Sequence, residues 1–558
     1  MSRSATILRN VASNFGGFAV NAAVTLLLTP VVLRELGSAR YGIWILTSSI
    51  IGYYGLLDLG FRSGVTQHLT RYAATREYDK CSECLSSAVA ALAVLGLLMM
   101  VLSVGAAFAA PHWFELPAET SDEAFWCILV VGFSAAVQFT FTPFMSVFMA
   151  TQRFDLANAI GVLTRLLTAV SVVVALRMGW GLIGVSLATA SSNLVDYLLR
   201  WRVATRLAPD LEVSRRCVVP ARIREMGSFG IWNFFISINA YVYQHVPTIL
   251  IGAFMPIAAV GHFALATGLS RQVNSLMGPI SQVMYPAAAE LHAQGDHARL
   301  ERLYHEGSRL MMLVMVPVVL IAELWATDFY RLWIGAGFLD GQPYPSVALL
   351  FRILLVGTVT TYTTNIAAQV LMGAGRVRTV ASVMITGSII TVGLALGLVG
   401  PYGLVGMAIA TVAASVIGDL LIVPILAHGI MGLSVGQFVR RACIRPIMAG
   451  IVQLLLLALI RLGGQREAVD SWAVEWIGNG GFASADWPAR LAGMLELTLR
   501  PSALNWVDLI IQGLSAGATS LAVLMLIGLT RAERARFIGR PLQRMFRFGV
   551  PANQVGRT

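Results

Sequence analysis

About fourteen apolar blocks, most of them roughly 18–28 residues long, divide almost the whole of this chain. They fall near 11–33, 41–61, 84–110, 124–150, 158–176, 179–199, 227–252, 258–286, 310–325, 345–371, 378–399, 402–427, 443–461 and 508–530. A helix of that length crosses a hydrocarbon core of about 30 Å. Lipid offers no hydrogen bonds to an open backbone, so each block is expected as a helix. Composition agrees: 57% of residues are hydrophobic, 12% are charged, and the mean hydropathy is +0.72. A soluble domain carries about 25% charged residues. The reading is an all-α polytopic membrane protein of about fourteen transmembrane helices.

The formal net charge of +11 then matters through its placement, and nucleic acid is not an expected partner. Lys80 is the lone lysine, so the other 39 basic residues are arginines. With the N-terminus cytoplasmic, 29 of the 40 Lys and Arg fall on cytoplasmic segments and eight on outer ones. The remaining three, Arg165, Arg271 and Arg352, lie inside spans. This asymmetry is the positive-inside pattern, and it places both termini in the cytoplasm of a cell inner membrane. The stretch after Arg3 and Arg9 carries Asn14 and Asn21 and lacks a small-residue cleavage site, so it reads as a retained first helix. The outer segment near 462–507, with Trp472, Trp476 and Trp487, is expected to lie at the membrane interface, and a basic tail follows from Arg531.

The chain also repeats itself. Gly181-Leu182-Ile183-Gly184 returns as Gly403-Leu404-Val405-Gly406, at an offset of 222 residues. The same offset aligns Ala150–Arg153 with Met372–Gly375, and Tyr41-Gly42 corresponds to Val260-Gly261 after a small gap. Helices 1–6 therefore recur as helices 7–12 in the same orientation, with two helices appended. The expected lobes are 1–215 and 216–430, followed by 431–558. Parallel repeats of this kind build transporters with a substrate site at the lobe interface.

Pro30-Val31-Val32-Leu33-Arg34-Glu35-Leu36-Gly37, Tyr41-Gly42-Ile43-Trp44 and Leu57-Asp58-Leu59-Gly60 resemble the start of polysaccharide (O-antigen type) flippases. These belong to the multidrug/oligosaccharidyl-lipid/polysaccharide exporter superfamily. The resemblance implies a carrier of polyprenyl-diphosphate-linked oligosaccharide from the cytoplasmic to the outer leaflet, by alternating access, for surface polysaccharide such as the O-antigen of lipopolysaccharide. Implied partners are that cargo, membrane lipids, and a polysaccharide polymerase with its assembly proteins. The carrier itself is expected as a monomer. Two other readings stand beside it: a multidrug/cation antiporter of the same superfamily, and a polytopic polysaccharide polymerase or ligase.

A diphosphate and sugars crossing a low-dielectric slab need fixed cations and hydrogen-bonding groups, and arginine's planar fork suits phosphate. Arg271 is the first candidate, with Asn274, Ser275, Gly278 and Gln282 following at helical spacing. Arg165 sits near the middle of helix 5. Arg62 lies four residues after Asp58, which reads equally as an ion pair at a helix end and as a diphosphate contact. Asn14, Asn21 and Asn239 serve either sugar binding or helix–helix hydrogen bonding. Asp58, Asp196 and Asp419 are the candidate coupling carboxylates, and His245 reads as a packed histidine. Cys81 and Cys84 form a lone CxxC without zinc-spaced partners, so neither metal nor disulfide is expected. No catalytic or cofactor motif is present, and the chain reads as a transporter and not an enzyme.

Overall fold

The computed structural model describes residues 3–58, 61–276, 278–341, 343–417, 435–463 and 505–529. Helix accounts for nearly all of them, and no strand occurs among the described residues. Asp419, most of the 462–507 segment and the tail from Arg531 lie outside them. The helices are α1 (Arg3–Gly52), α2 (Phe61–Ala74), α3 (Tyr78–Trp113), α4 (Ala118–Phe141), α5 (Pro143–Ala150), α6 (Phe154–Arg177) and α7 (Gly181–Leu207). Then follow α8 (Pro220–Phe254), α9 (Ile257–Ser275), α10 (Gly278–Ala293), α11 (His297–Ile334), α12 (Val347–Gly373) and α13 (Val377–Ser415). The last two are α14 (Ile444–Gly463) and α15 (Trp506–Val523).

Ten helices among the described residues are long and apolar enough to cross a membrane. Two of them contain a glycine with non-helical torsions, which divides each into two legs: Gly37 in α1 (φ 75°) and Gly403 in α13 (φ 57°). Only glycine enters that region without a Cβ penalty. The chain is therefore a multi-pass membrane protein.

The repeat is visible in backbone detail. Gly181 and Gly403, 222 residues apart, have φ of 54° and 57°. Three residues on, a methyl on Gly184 would overlap Trp180, and one on Gly406 would overlap the Leu398 carbonyl and Tyr402. The motif thus reads as one left-handed glycine to turn the chain and a second to admit the preceding aromatic residue. Around residue 153 the match slips, since the left-handed positions are Gln152 and Gly375, 223 apart.

Two of the expected spans are broken in ways the apolar pattern does not predict. Helix 2, expected over 41–61, unwinds into a 3₁₀ turn at Tyr53–Asp58 and resumes as α2 through Ala74. Helix 8, expected as one span over 258–286, stops at Ser275 and restarts as α10 at Gly278. At the second break Pro279 supplies the chemistry: it has no N–H to bond back into α9 and suits the first turn of a new helix. Registered on Tyr41-Gly42 and Val260-Gly261, the two breaks fall at corresponding positions of the repeat.

The chain divides into two compact units. One contains Met1–Gln272, Gly337–Gly357 and Arg376–Gly418. Its main packing pairs are α3 with α4, α8 with α13, α6 with α7, and α1 with α6. Leu69, Leu85, Leu92, Met99 and Phe148 belong to one of its core clusters and are almost fully buried. The other unit contains Val273–Ala336, Thr358–Gly375 and Asp419–Thr558. There α14 and α15 pack on α11, and the Gln453 amide donates to the Ser520 hydroxyl at 2.8 Å. Trp325 donates to Gln512 at 2.7 Å, and the fully buried Arg461 pairs with the fully buried Asp328.

Candidate functional site: cations and polar groups on the spanning helices

On α1, the Thr25 hydroxyl donates to the Asn21 carbonyl (2.8 Å) and that of Thr29 to the Thr25 carbonyl (2.7 Å). These back-bonds leave the Thr25 oxygen able to accept, and Arg165 Nη2 of α6 donates to it at 2.9 Å. Arg165 Nε is buried without a hydrogen-bond partner, and no carboxylate pairs with this guanidinium among the described residues. Next to it, Thr164 takes part in a different arrangement. Its hydroxyl donates to Asp196 (3.0 Å), whose other oxygen accepts from Arg200 Nε at 2.6 Å. Asp196 is thus already neutralised, while Arg165 one residue away from that bond is not.

The Asp58–Arg62 pair sits at the break in helix 2 and not at the end of the helix. Asp58 Oδ1 accepts from the Arg62 backbone N–H (3.2 Å), capping the first turn of α2, and Arg62 Nε lies 3.5 Å from Oδ2. The Arg62 guanidinium also covers the Phe139 ring at 4.9 Å. A carboxylate at a helix N-terminus meets unpaired N–H groups and the positive end of the dipole. Asp58 thus both pairs with Arg62 and caps the helix.

Arg271 lies one turn before the break between α9 and α10. Its side chain is solvent-exposed, and Tyr41, Tyr243 and His245 are its electrostatic neighbours. No carboxylate pairs with it among the described residues. Asn274, at the end of α9, accepts from the Tyr362 hydroxyl through its backbone carbonyl at 2.5 Å. The polar face expected to run unbroken from Arg271 to Gln282 is interrupted, since α9 and α10 are separate helices. Asn239 Oδ1 accepts from Ser388 (2.9 Å), joining α8 to α13. Asn14 lies on α1, its side chain outside the described ones, and Asn21 is exposed.

The structure therefore brings together Arg165 with Thr25, and Arg271 with three aromatic residues. Thr25, Tyr41 and Tyr243 are the members that sequence reasoning did not single out as a site. A threonine one turn beyond Asn21 was the available signal for the first. The tyrosines carried none, because their neighbour comes from a different helix. Cys81 and Cys84 are free and buried, the Cys84 sulfur 3.4 Å from that of Met226.

The chain as a whole has known relatives. The chain is 20% identical to the uncharacterized membrane protein EpsK of Bacillus subtilis, over 83% of this chain and 90% of that one. It is 20% identical to the probable flippase AglR of Haloferax volcanii, covering 77% and 85% of the two chains. It is 17% identical to a putative O-antigen transporter of Shigella flexneri, covering 73% and 94%. Among solved structures it shares the fold of the lipid II flippase MurJ in an inward closed conformation, with a TM-score of 0.61, 11% identity, and 88% and 97% coverage. An inward-facing multidrug resistance MATE family transporter of the MOP superfamily also has a TM-score of 0.61, at 15% identity and 75% and 99% coverage. The model of the polysaccharide biosynthesis protein family matches residues 7–292, more than half of the sequence, and the chain belongs to that family.

Proposed function

We propose that this protein is a flippase that carries polyprenyl-diphosphate-linked oligosaccharide from the cytoplasmic to the outer leaflet of the inner membrane by alternating access. Residues 1–215 and 216–430 are the two lobes of that cycle, and 431–558 is an appended element. Both termini are cytoplasmic. The protein moves its cargo without altering it, upstream of a polymerase.

One observation carries the reading. Arginines with structural roles here have carboxylate partners: Arg461 with Asp328 and Arg200 with Asp196. Arg165 and Arg271, both inside spans, have none among the described residues. An arginine at membrane depth costs roughly 2.5–3.5 kcal/mol on insertion scales, so it is retained for a wet path or a transient anion. A diphosphate is such an anion, and the guanidinium fork matches it. The two interrupted helices add support, since broken helices at corresponding places of the two halves mark carrier sites. Arg62 lies at one break. Arg271 and Asn274 precede the other. Asn14, Asn21 and Asn239 supply hydrogen bonds for sugars. Asp58, Asp196 and Asp419 are the coupling candidates, the first two already paired with Arg62 and Arg200.

The test is a deletion strain in which synthesis of the lipid-linked oligosaccharide continues. The cargo should accumulate on the cytoplasmic face, and Arg271→Ala at normal abundance should not restore export. Full export in a deletion strain without a paralogue would overturn the assignment. Orientation is tested separately. A cysteine introduced at Glu119 should be labelled from outside intact spheroplasts, and one at Ala208 should not.

A further inference from the structure

Tyr241 and His245 stand one turn apart on α8 with near-parallel rings, 6.0 Å between centroids and 20° between planes. Both side chains are half-buried. Counted from the Phe254 end of α8 and the Ile257 end of α9, these rings and Arg271 lie at one depth, about 14–21 Å along their helices. That is the middle of a hydrocarbon core of about 30 Å. Arg271 and His245 are electrostatic neighbours. His245 Nδ1 is buried and has no hydrogen-bond partner among the described residues. A polar nitrogen left unpaired away from water is costly, and a ligand hydroxyl would satisfy it.

Helix 2 meets this face where it unwinds. A methyl on Gly52 would overlap the His245 ring, one on Gly55 would overlap the Tyr241 hydroxyl, and the Tyr53 ring lies 5.5 Å from that of His245. The 219-residue register that pairs Tyr41-Gly42 with Val260-Gly261 also pairs Gly52 with Arg271. The second repeat thus carries a cation where the first carries a glycine, and the arrangement is one-sided. Toward the other end of α8 the same helices meet differently. There Gly64 abuts the Met226 carbonyl, Arg222 donates to Glu225 (2.9 Å) and to the Tyr72 hydroxyl (2.9 Å), and Tyr72 donates to Glu225 (3.1 Å). Charge answers charge in that Glu225 cluster, whereas Arg271 has no carboxylate partner among the described residues.

We propose that Tyr241 and His245 form the subsite for the first sugar of the cargo, the one joined to the diphosphate that Arg271 holds. A pyranose has an apolar face of C–H groups that lies against the negative face of an aromatic ring, and two rings one turn apart lengthen that surface. Its hydroxyls project at the rim, where His245 Nδ1 takes one. The diphosphate is bonded directly to this sugar, so the cation and the rings must be neighbours, as they are. In this conformation the glycines of helix 2 lie against the ring edges. The sugar has more room when the repeats part, so its binding favours that conformer. The proposal rests on the flippase reading and deepens it by giving the sugar a place on the second repeat.

Two probes test it on the purified full chain: polyprenyl diphosphate, and the same lipid carrying one N-acetylhexosamine. Tyr241→Leu and His245→Leu should each weaken binding of the sugar-bearing probe roughly three- to tenfold more than that of the bare diphosphate. Tyr241→Phe, which keeps the ring, should recover most of the loss. Arg271→Ala should weaken both probes. Equal losses on the two probes in the leucine variants, or no loss on either, would overturn the subsite. A second measurement needs no substitution. A photoreactive group on the sugar of the probe should label wild-type α8 around Tyr241 and His245, and labelling confined to other helices would overturn the subsite. A wild-type chain that binds both probes while the leucine variants show no sugar selectivity leaves the flippase reading standing and removes the subsite. A wild-type chain that binds neither probe overturns both.

Discussion

The Arg461 guanidinium lies 2.5 Å from the Asp328 carboxylate, and neither side chain has solvent-exposed surface. The Trp325 ring stands 5.3 Å from the same guanidinium. This pair joins α14 to α11. Removing one member leaves a buried charge without its counter-ion, which costs about 3–5 kcal/mol, whereas replacing both by apolar residues is often neutral. Arg461→Ala should therefore lower the thermal unfolding temperature in detergent markedly. Arg461→Met with Asp328→Leu should recover most of the loss. Equal destabilisation by the single and the double variant would show that the charges are not what holds α14.

Arg165 has the opposite character, with Thr25 as its hydrogen-bond partner and a buried Nε left over. A charge-assisted hydrogen bond is worth about 1.5–3 kcal/mol, or roughly 10–100-fold in cargo affinity. Arg165→Ala should reduce cargo binding by about that factor, with normal membrane abundance. Arg165→Lys should recover part of it, because the charge returns without the fork. Unchanged binding by Arg165→Ala, measured on the purified protein, would remove Arg165 from the site.

The repeat-related glycines Gly184 and Gly406 should respond alike. A methyl at either position meets the aromatic residue four places earlier, Trp180 or Tyr402, so Gly184→Ala and Gly406→Ala should each destabilise. Overpacking typically costs about 1–3 kcal/mol. Gly105→Ala in α3, where nothing lies within 4 Å, is the control. It should be neutral or stabilise by up to about 1 kcal/mol through helix propensity. Unequal effects of the first two in thermal unfolding would break the equivalence.

The Glu225 cluster sets a pH window. The hydrogen bond from Arg222, opposed by partial burial, holds the Glu225 carboxyl below its ordinary value. A carboxyl depressed in the folded state stabilises above its unfolded pKa of about 4.3, and that contribution is lost as pH falls through the lower folded value. Wild type and Glu225→Gln should therefore differ in unfolding temperature by a constant amount at neutral pH. The difference should shrink below about pH 4. A difference that instead vanished on the alkaline side would assign the linkage to another group.

Hydropathy and arginine spacing determined that the chain crosses a membrane many times, because lipid forces each apolar block into helix whatever its neighbours are. The Gly-Leu-x-Gly repeat was legible too, since its glycines answer local demands: a left-handed turn at Gly181 and Gly403, and a close approach at Gly184 and Gly406. Arg165 and Arg271 stood out in the sequence by their cost alone, whereas Arg461, counted with the outer segment, did not. Only the tertiary structure decided which buried arginines are neutralised. Asp328 is 133 residues from Arg461, and Thr25 is 140 from Arg165, so no spacing rule joins them. The breaks at Tyr53–Asp58 and after Ser275 were hidden for a related reason. Hydropathy averages over a window, whereas a helix ends where a few backbone groups find other partners, as Asp58 does with the Arg62 N–H. The glycines of helix 2 looked like scattered small residues until α8 was set against them, because a notch has meaning only with the atom that fills it.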